Sequence, residues 1–215
     1  MPDAPGLELI RGEIERDHPG AVLATSFDRD QPALIIDPAQ NLAVLSWLRD
    51  TPGQRYAFLS SLHVADYLPA APRFGVHYEL LNRDRVERIR VKAMLADPAV
   101  ASSSGNGLRP TEPATTPGAS GQGPRTDTPA RPQDPAPTLP PGDGVLPEID
   151  SCVSLFPTAN FQEREAFDFF GIVFTGHPEL TRILLPEDYV GWPQRRDFPV
   201  GGEPVTFTYN ERNYG

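Results

Sequence analysis

Residues 97–147 read DPAVASSSGNGLRPTEPATTPGASGQGPRTDTPARPQDPAPTLPPGDGVLP, a stretch without one aromatic side chain that holds about a dozen of the chain's 26 prolines. Such a segment cannot build a core. Scattered proline removes backbone donors, glycine and serine raise the entropy lost on ordering, and the apolar area available to offset that loss is small. The composition predicts a disordered, partly polyproline-II insertion. P-x-x-P matches within it are of the kind that chance supplies, so they do not by themselves mark a ligand for a proline-recognition domain. Whatever this chain folds into must be assembled from residues 1–96 and 148–200, with 201–215 left as a C-terminal tail.

The first of those segments is regular. LELIRGEIERD, residues 7–17, puts Leu7, Ile10 and Ile14 on one helical face and stops at His18-Pro19-Gly20. AVLATSF (21–27) and ALII (33–36) flank the polar turn DRDQP and predict a hairpin. Asp37 then stands as an N-cap, with Pro38 at the first helical position and Gln40 completing a capping-box pattern before the helix NLAVLSWLRD. Three strands are predicted next, in QRYAFLSSLHV, FGVHYELLN and VERIRVKAML. The last alternates Ile89, Val91, Ala93 and Leu95 with Arg88, Arg90 and Lys92, so one face is buried and the other wet. The order α-β-β-α-β-β-β predicts a two-layer α+β domain, both helices covering one face of a mixed sheet. An insertion after the last strand is tolerable because loop-closure cost grows only logarithmically with length.

Charge and cysteine count narrow the function. A net charge of −10 and a pI near 4.8 lack the basic face that nucleic-acid binding needs. Cys152 is the only cysteine, so no intrachain disulfide and no thiolate-held iron–sulfur cluster is expected. His18, His63, His77 and His177 are scattered, without metal-ligand spacing. No window has the apolar length of a membrane span, and MPDAPGLELIRGEIERDH has no signal-peptide pattern.

The densest chemistry lies in ANFQEREAFDFFGIVFTGHPELTRILLPEDYVGWPQRRDFP, residues 159–199. Asn160 followed by Glu163 repeats the capping-box pattern, and Gly171 stands where a left-handed C-cap would end a helix over about 161–170. Arg164 and Asp168 are an i, i+4 pair. Phe161, Glu165 and Phe169 share one face, while Phe167 and Phe170 fall on others, which predicts a helix sandwiched between its own domain and something else. GIVF reads as a short strand and His177-Pro178 as a turn. In the following tail, Tyr189, Trp192, Phe198, Phe207, Tyr209 and Tyr214 need a surface to lie on, as an extended segment anchored by Arg195 and Arg196 would have. Glu163, Glu165, Asp168 and His177 are candidate acids and bases. But Glu163 and Glu165 face different ways on a helix, and there is no nucleophile elbow, P-loop or dinucleotide fingerprint. Capping, salt bridging and partner contact are the better readings.

The pattern ERExFDFFGIxFxGHPxLxRILLPEDYxGxPxRRDFP, residues 163–199, closely resembles the signature of the 30 kDa subunit (C-subunit) family of proton-pumping NADH:quinone oxidoreductase, respiratory complex I. SLHVADY, FGVHYELLNRDRVERIRVKAML and FPTAN also look like that family. The resemblance implies a non-catalytic scaffold subunit in the peripheral arm. It would bind no cofactor itself, the NADH, quinone, FMN and iron–sulfur clusters belonging to the whole complex. It further implies contact with the large quinone-site subunit (the D-subunit) and neighbouring cluster-bearing subunits, without membrane insertion, on the cytoplasmic side of the cell membrane. The residues it marks as signature or interface are Glu163, Arg164, Glu165, Asp168, Gly171, His177, Pro178, Arg182, Pro186, Asp188, Gly191, Pro193, Arg195, Arg196 and Asp197. Thr181 departs from a position often basic, Trp192 from one commonly polar, and the insertion from what is usually a short loop. A homologous subunit of a membrane-bound [NiFe]-hydrogenase or related complex, or a stand-alone protein-binding module, is the alternative.

Overall fold

Residues 2–98, 145–187 and 189–198 are described by the structure, a computed structural model. Most of the predicted disordered insertion 97–147, the tail 201–215 with Phe207, Tyr209 and Tyr214, and Asp188 lie outside the described residues.

Helix α1 (Ala4–Asp17) starts because the Asp3 carboxylate accepts the Gly6 amide at 2.8 Å, with Pro5 in the first turn. Leu7, Ile10 and Ile14 are buried, as their spacing predicts. Strands β1 (Val22–Asp28) and β2 (Gln31–Ile36) form the expected hairpin. Its turn residues Arg29 and Asp30 both have positive φ (50° and 59°), the backbone that a two-residue turn needs to match strand twist.

Asp37 does cap, accepting the Ala39 amide at 3.0 Å, but what it caps is a single 3-10 turn, Pro38–Gln40. Helix α2 (Asn41–Asp50) begins only after that turn. Gln40 therefore stands at the entrance of α2, and its side chain donates to the Pro19 carbonyl at 3.3 Å; the capping box does not form.

Strands β3 (Phe58–Asp66), β4 (Phe74–Asn82) and β5 (Glu87–Leu95) complete a sheet ordered β1-β2-β5-β4-β3. Only β2 and β5 run parallel, so the sheet is mixed and the α+β reading holds. Leu7, Ile10 and Ile14 of α1 and Val44, Leu45 and Leu48 of α2 join the inward rows of β4 (Val76, Tyr78, Leu80) and β5 (Ile89, Val91, Ala93) in one core. A register shift between Leu59 and Ser61 lets both Leu59 and Leu62 point inward, three residues apart, which plain alternation forbids.

The second segment supplies β6 (Glu148–Asp150), α3 (Ala159–Phe170) and β7 (Val173–Thr175), with β6 and β7 paired in parallel. It is stitched to the first segment by polar contacts. Asn41 Nδ2 donates to the Asp150 carbonyl (2.8 Å), Arg49 Nη1 to that of Leu155 (3.0 Å) and Thr158 Oγ1 to that of Leu59 (3.3 Å). The Leu62 amide, on the outer edge of β3, donates to the Gln162 side chain. Cys152, Phe156, Ala166, Ile172 and Phe174 extend the same hydrophobic cluster, so both segments share one core.

Candidate functional site

Helix α3 opens after Thr158 with no side-chain cap. The predicted Asn160–Glu163 capping box is absent because Glu163 points into the protein. Its fully buried carboxylate accepts Ser151 Oγ at 2.6 Å and the Cys152 amide at 2.8 Å, shaping the turn that leaves β6. Burial pushes Glu163 above the usual carboxylate range, against the pull of those two donors. The Cys152 thiol is pushed far up, by burial first and by the Glu163 charge second, which keeps it protonated. His177 accepts the Glu179 amide on Nδ1 (3.0 Å), so its proton sits on Nε2, which faces the Asn160 carbonyl at 3.2 Å. Glu163 lies 4.0 Å from that nitrogen, beyond hydrogen-bond distance.

Asp168 organises the chain that returns after the helix. Its Oδ2 accepts three successive amides, Ile183 (3.0 Å), Leu184 (2.7 Å) and Leu185 (3.0 Å), and its Oδ1 accepts Arg182 Nη1 at 2.8 Å. Arg182 also donates to the carbonyls of Asp168 (3.0 Å) and Gly191 (3.2 Å). Burial alone would raise the Asp168 carboxyl, but the amides of Leu185, Leu184 and Ile183 and the Arg182 guanidinium hold it below its ordinary value. Arg164 is not Asp168's partner despite the i, i+4 spacing. It reaches the Thr181 carbonyl (3.1 Å) and Thr181 Oγ1 (2.9 Å) instead, because the returning chain offers fixed acceptors on that side.

Gly171 ends α3 in the left-handed region at φ 68°, as predicted, and a Cβ there would come within 2.5 Å of the Trp192 ring. Trp192 packs edge-on to Phe167 and beneath the Arg182 guanidinium, 4.7 Å from its ring centroid. Gly191, at φ 102°, leaves room for Phe198 in the same way. Arg195 is buried, donates to the Phe170 carbonyl at 2.7 Å and lies over Phe74.

The end of the segment is fastened by an ion cluster that joins signature residues to distant partners. Arg73, at the entrance to β4, binds Asp66 (2.7 Å), Asp97 (2.7 Å) and Asp197 (2.6 Å). The Arg196 amide also donates to Asp66 Oδ2 at 2.8 Å, and its guanidinium to the Leu68 carbonyl at 2.5 Å. Asp197 and Arg196 are marked by the signature and Asp66 lies in SLHVADY, but Arg73 and Asp97 carry no local pattern, and partners up to 124 positions apart leave the pairing itself unreadable.

Of the remaining marked residues, Pro178 and Pro186 are exposed turn residues, Pro193 is half-buried, and Asp188 lies outside the described residues. Glu165 is exposed beside Phe161, which is 67% exposed. Among the described residues Phe161 stays largely uncovered, while Glu165 borders a small cavity lined also by Leu62, His63 and Val64 of β3. The structure thus gathers Glu163, Arg164, Asp168, Gly171, His177, Arg182, Gly191, Arg195, Arg196 and Asp197 around α3 and the returning segment, and leaves Glu165 outside. Among the described residues no group of three or more His, Cys, Asp or Glu could hold a metal, and no helix is long and apolar enough to cross a membrane.

Fold and site define a class: a small α+β body in which Arg164, Asp168, Arg182, Arg195 and Arg196 bind its own carbonyls and amides, and so hold a returning segment in a fixed shape. The family described as respiratory-chain NADH dehydrogenase, 30 kDa subunit, matches residues 34–106 and 139–204, and the chain belongs to that family. It is 36% identical over 202 residues to the NADH-quinone oxidoreductase C-subunit of Roseiflexus castenholzii, covering 94% of this chain and 89% of that one. Against the protein of the same name from Herpetosiphon aurantiacus it is 38% identical over 180 residues, covering 83% and 77%. A chain in the membrane-bound sulfane sulfur reductase, an archaeal respiratory membrane complex, shares the fold at a TM-score of 0.55 and 16% identity, over 90% of this chain and 85% of that one.

Proposed function

We propose that the chain is a non-catalytic scaffold subunit in the peripheral arm of a proton-translocating NADH:quinone oxidoreductase. Its 36% identity to the Roseiflexus castenholzii C-subunit, across an alignment covering 94% of its length, is the observation that carries this reading. The geometry supports it: Arg164, Asp168, Arg182, Arg195 and Arg196 are engaged by backbone groups and Asp197 by Arg73, so their chemistry is that of shape rather than turnover. On this reading residues 1–96 and 148–200 are one family domain interrupted by an insertion at 97–147, and 201–215 is a tail toward the partners.

The partners are the large quinone-site subunit and neighbouring cluster-bearing subunits, on the cytoplasmic side of the membrane. FMN, the iron–sulfur clusters, NADH and quinone are handled by those other chains. Glu165 and the exposed Phe161 are the signature-helix residues best placed to meet a partner, whereas Asp168, Arg182 and Arg195 act by preparing the surface.

The test is affinity purification of the tagged full-length chain from membranes. The expected result is co-purification of an NADH-oxidising module with NADH:quinone reductase activity. Recovery of a [NiFe]-hydrogenase module instead, or of the chain alone as a monodisperse monomer, overturns the assignment.

A further inference from the structure

Helices α1 and α2 cover one face of the five-stranded sheet, and cross-strand register lays out the other. Ala33, Arg90 and Glu79 lie side by side in one row, and Ile35, Lys92, His77 and His63 in the next. None of these side chains belongs to the hydrophobic core. Small residues, Ala33 and Gly75 among them, keep this face low. Tyr67 folds across Gly75, where a Cβ would come 2.8 Å from its ring.

The charge here runs against that of the chain, which is −10 overall. Strand β5 presents Arg88, Arg90 and Lys92 outward; Glu79 answers only Arg90, and Asp28 sits at the margin beyond β2. Arg88 and Lys92 make no ion pair among the described residues; Lys92 rests over the Tyr67 ring at 4.1 Å. A second observation lies in the same row. His77 is 5% exposed and shares a hydrogen bond with the Tyr67 hydroxyl through Nε2 (3.0 Å), but its Nδ1 has no hydrogen-bond partner among the described residues. The exposed His63 ring is stacked on it at 4.9 Å, and the buried Nδ1 is a polar atom in this row still to be satisfied among the described residues.

We propose that this sheet face, which no helix among the described residues covers around Ile35, Lys92 and His77, docks an acidic segment from a different protein of the same complex, whose carboxylates pair with Lys92 and Arg88. The proposal rests on the scaffold reading above. Complementary charge fixes partner and orientation. A second copy of this chain is a poorer occupant, because a two-fold contact through this face would set its cations against themselves.

The experiment places a photoreactive phenylalanine analogue at Ala33 in the full-length tagged chain and irradiates the purified membrane complex. The expected product joins this chain to another protein of the complex through an acid-rich peptide. Its yield should fall with added salt, and by about tenfold when Arg88→Glu and Lys92→Glu are combined, while the double variant alone keeps its thermal transition. A product containing a second copy of this chain or lipid, or no product although the chain co-purifies with the complex, overturns the docking face and leaves the scaffold reading standing. Failure to co-purify at all sinks the scaffold reading and this inference with it.

Discussion

Asp168 and Glu163 sit on one helix, and their carboxyl groups respond to pH in opposite directions. Asp168 is held ionised by three amides and an arginine, so its folded-state value is depressed. A depressed carboxyl contributes stability above its unfolded value, and that contribution is lost as pH falls through the folded one. Asp168→Asn should cost about 1.5–3 kcal/mol at neutral pH, the range for hydrogen bonds to charged groups. It should also flatten the acid limb of a urea-denaturation series. Equal loss at every pH would refute the ionised role. Glu163 has the opposite sign: its folded-state value is raised, so stability falls as pH climbs from the ordinary carboxylate value through the folded one. Glu163→Gln keeps an oxygen for the Cys152 amide and offers Ser151 Oγ a donor, so neutral-pH stability is expected to stay unchanged or rise. A loss above about 3 kcal/mol would mean that the charge is required. Gly171 was legible in the sequence because a C-cap is local. Glu163 was misread because a capping box and an inward carboxylate have the same spacing, and only the tertiary position of Ser151 and Cys152 decides between them.

At the level of elements, periodicity exposed what was long enough to show it. Helix α1, the hairpin, β4 and β5 follow from their patterns, while β6, three residues beside a proline-rich stretch, has no period to read. The 3-10 turn before α2 was hidden for a related reason: Asp37-Pro38 starts either kind of helix. Residues 99–144 connect two parts already held by their neighbours, Asp97 by Arg73 and β6 by β7. Replacing residues 100–144 with a Gly/Ser linker should therefore shift stability by no more than about 1 kcal/mol, since closure entropy depends only weakly on loop length. A calorimetric loss of more than about 2 kcal/mol would show that the segment contributes packing.

For the whole molecule, the shared core means that chain continuity across residues 99–144 is not what holds the two segments together. A protease nick within residues 100–144 should leave both fragments co-eluting in gel filtration under native conditions and separating only in denaturant. Early separation would contradict the continuous cluster. Arg73→Ala should weaken the nicked and intact forms alike, by about 3–5 kcal/mol, because it strands buried carboxylates. That cluster also sets a clock. Arg73 and Asp197 are 124 positions apart, so at synthesis rates of about 5–20 residues per second the ribosome delivers the second partner roughly 6–25 s after the first. Sheet and helices can settle in that interval, and the returning segment is the last part of the molecule to be fastened. Pulse-labelled nascent chains arrested before residue 197 should already protect β4 and β5 from proteolysis while leaving Asp66 and Asp97 to share Arg73 between them.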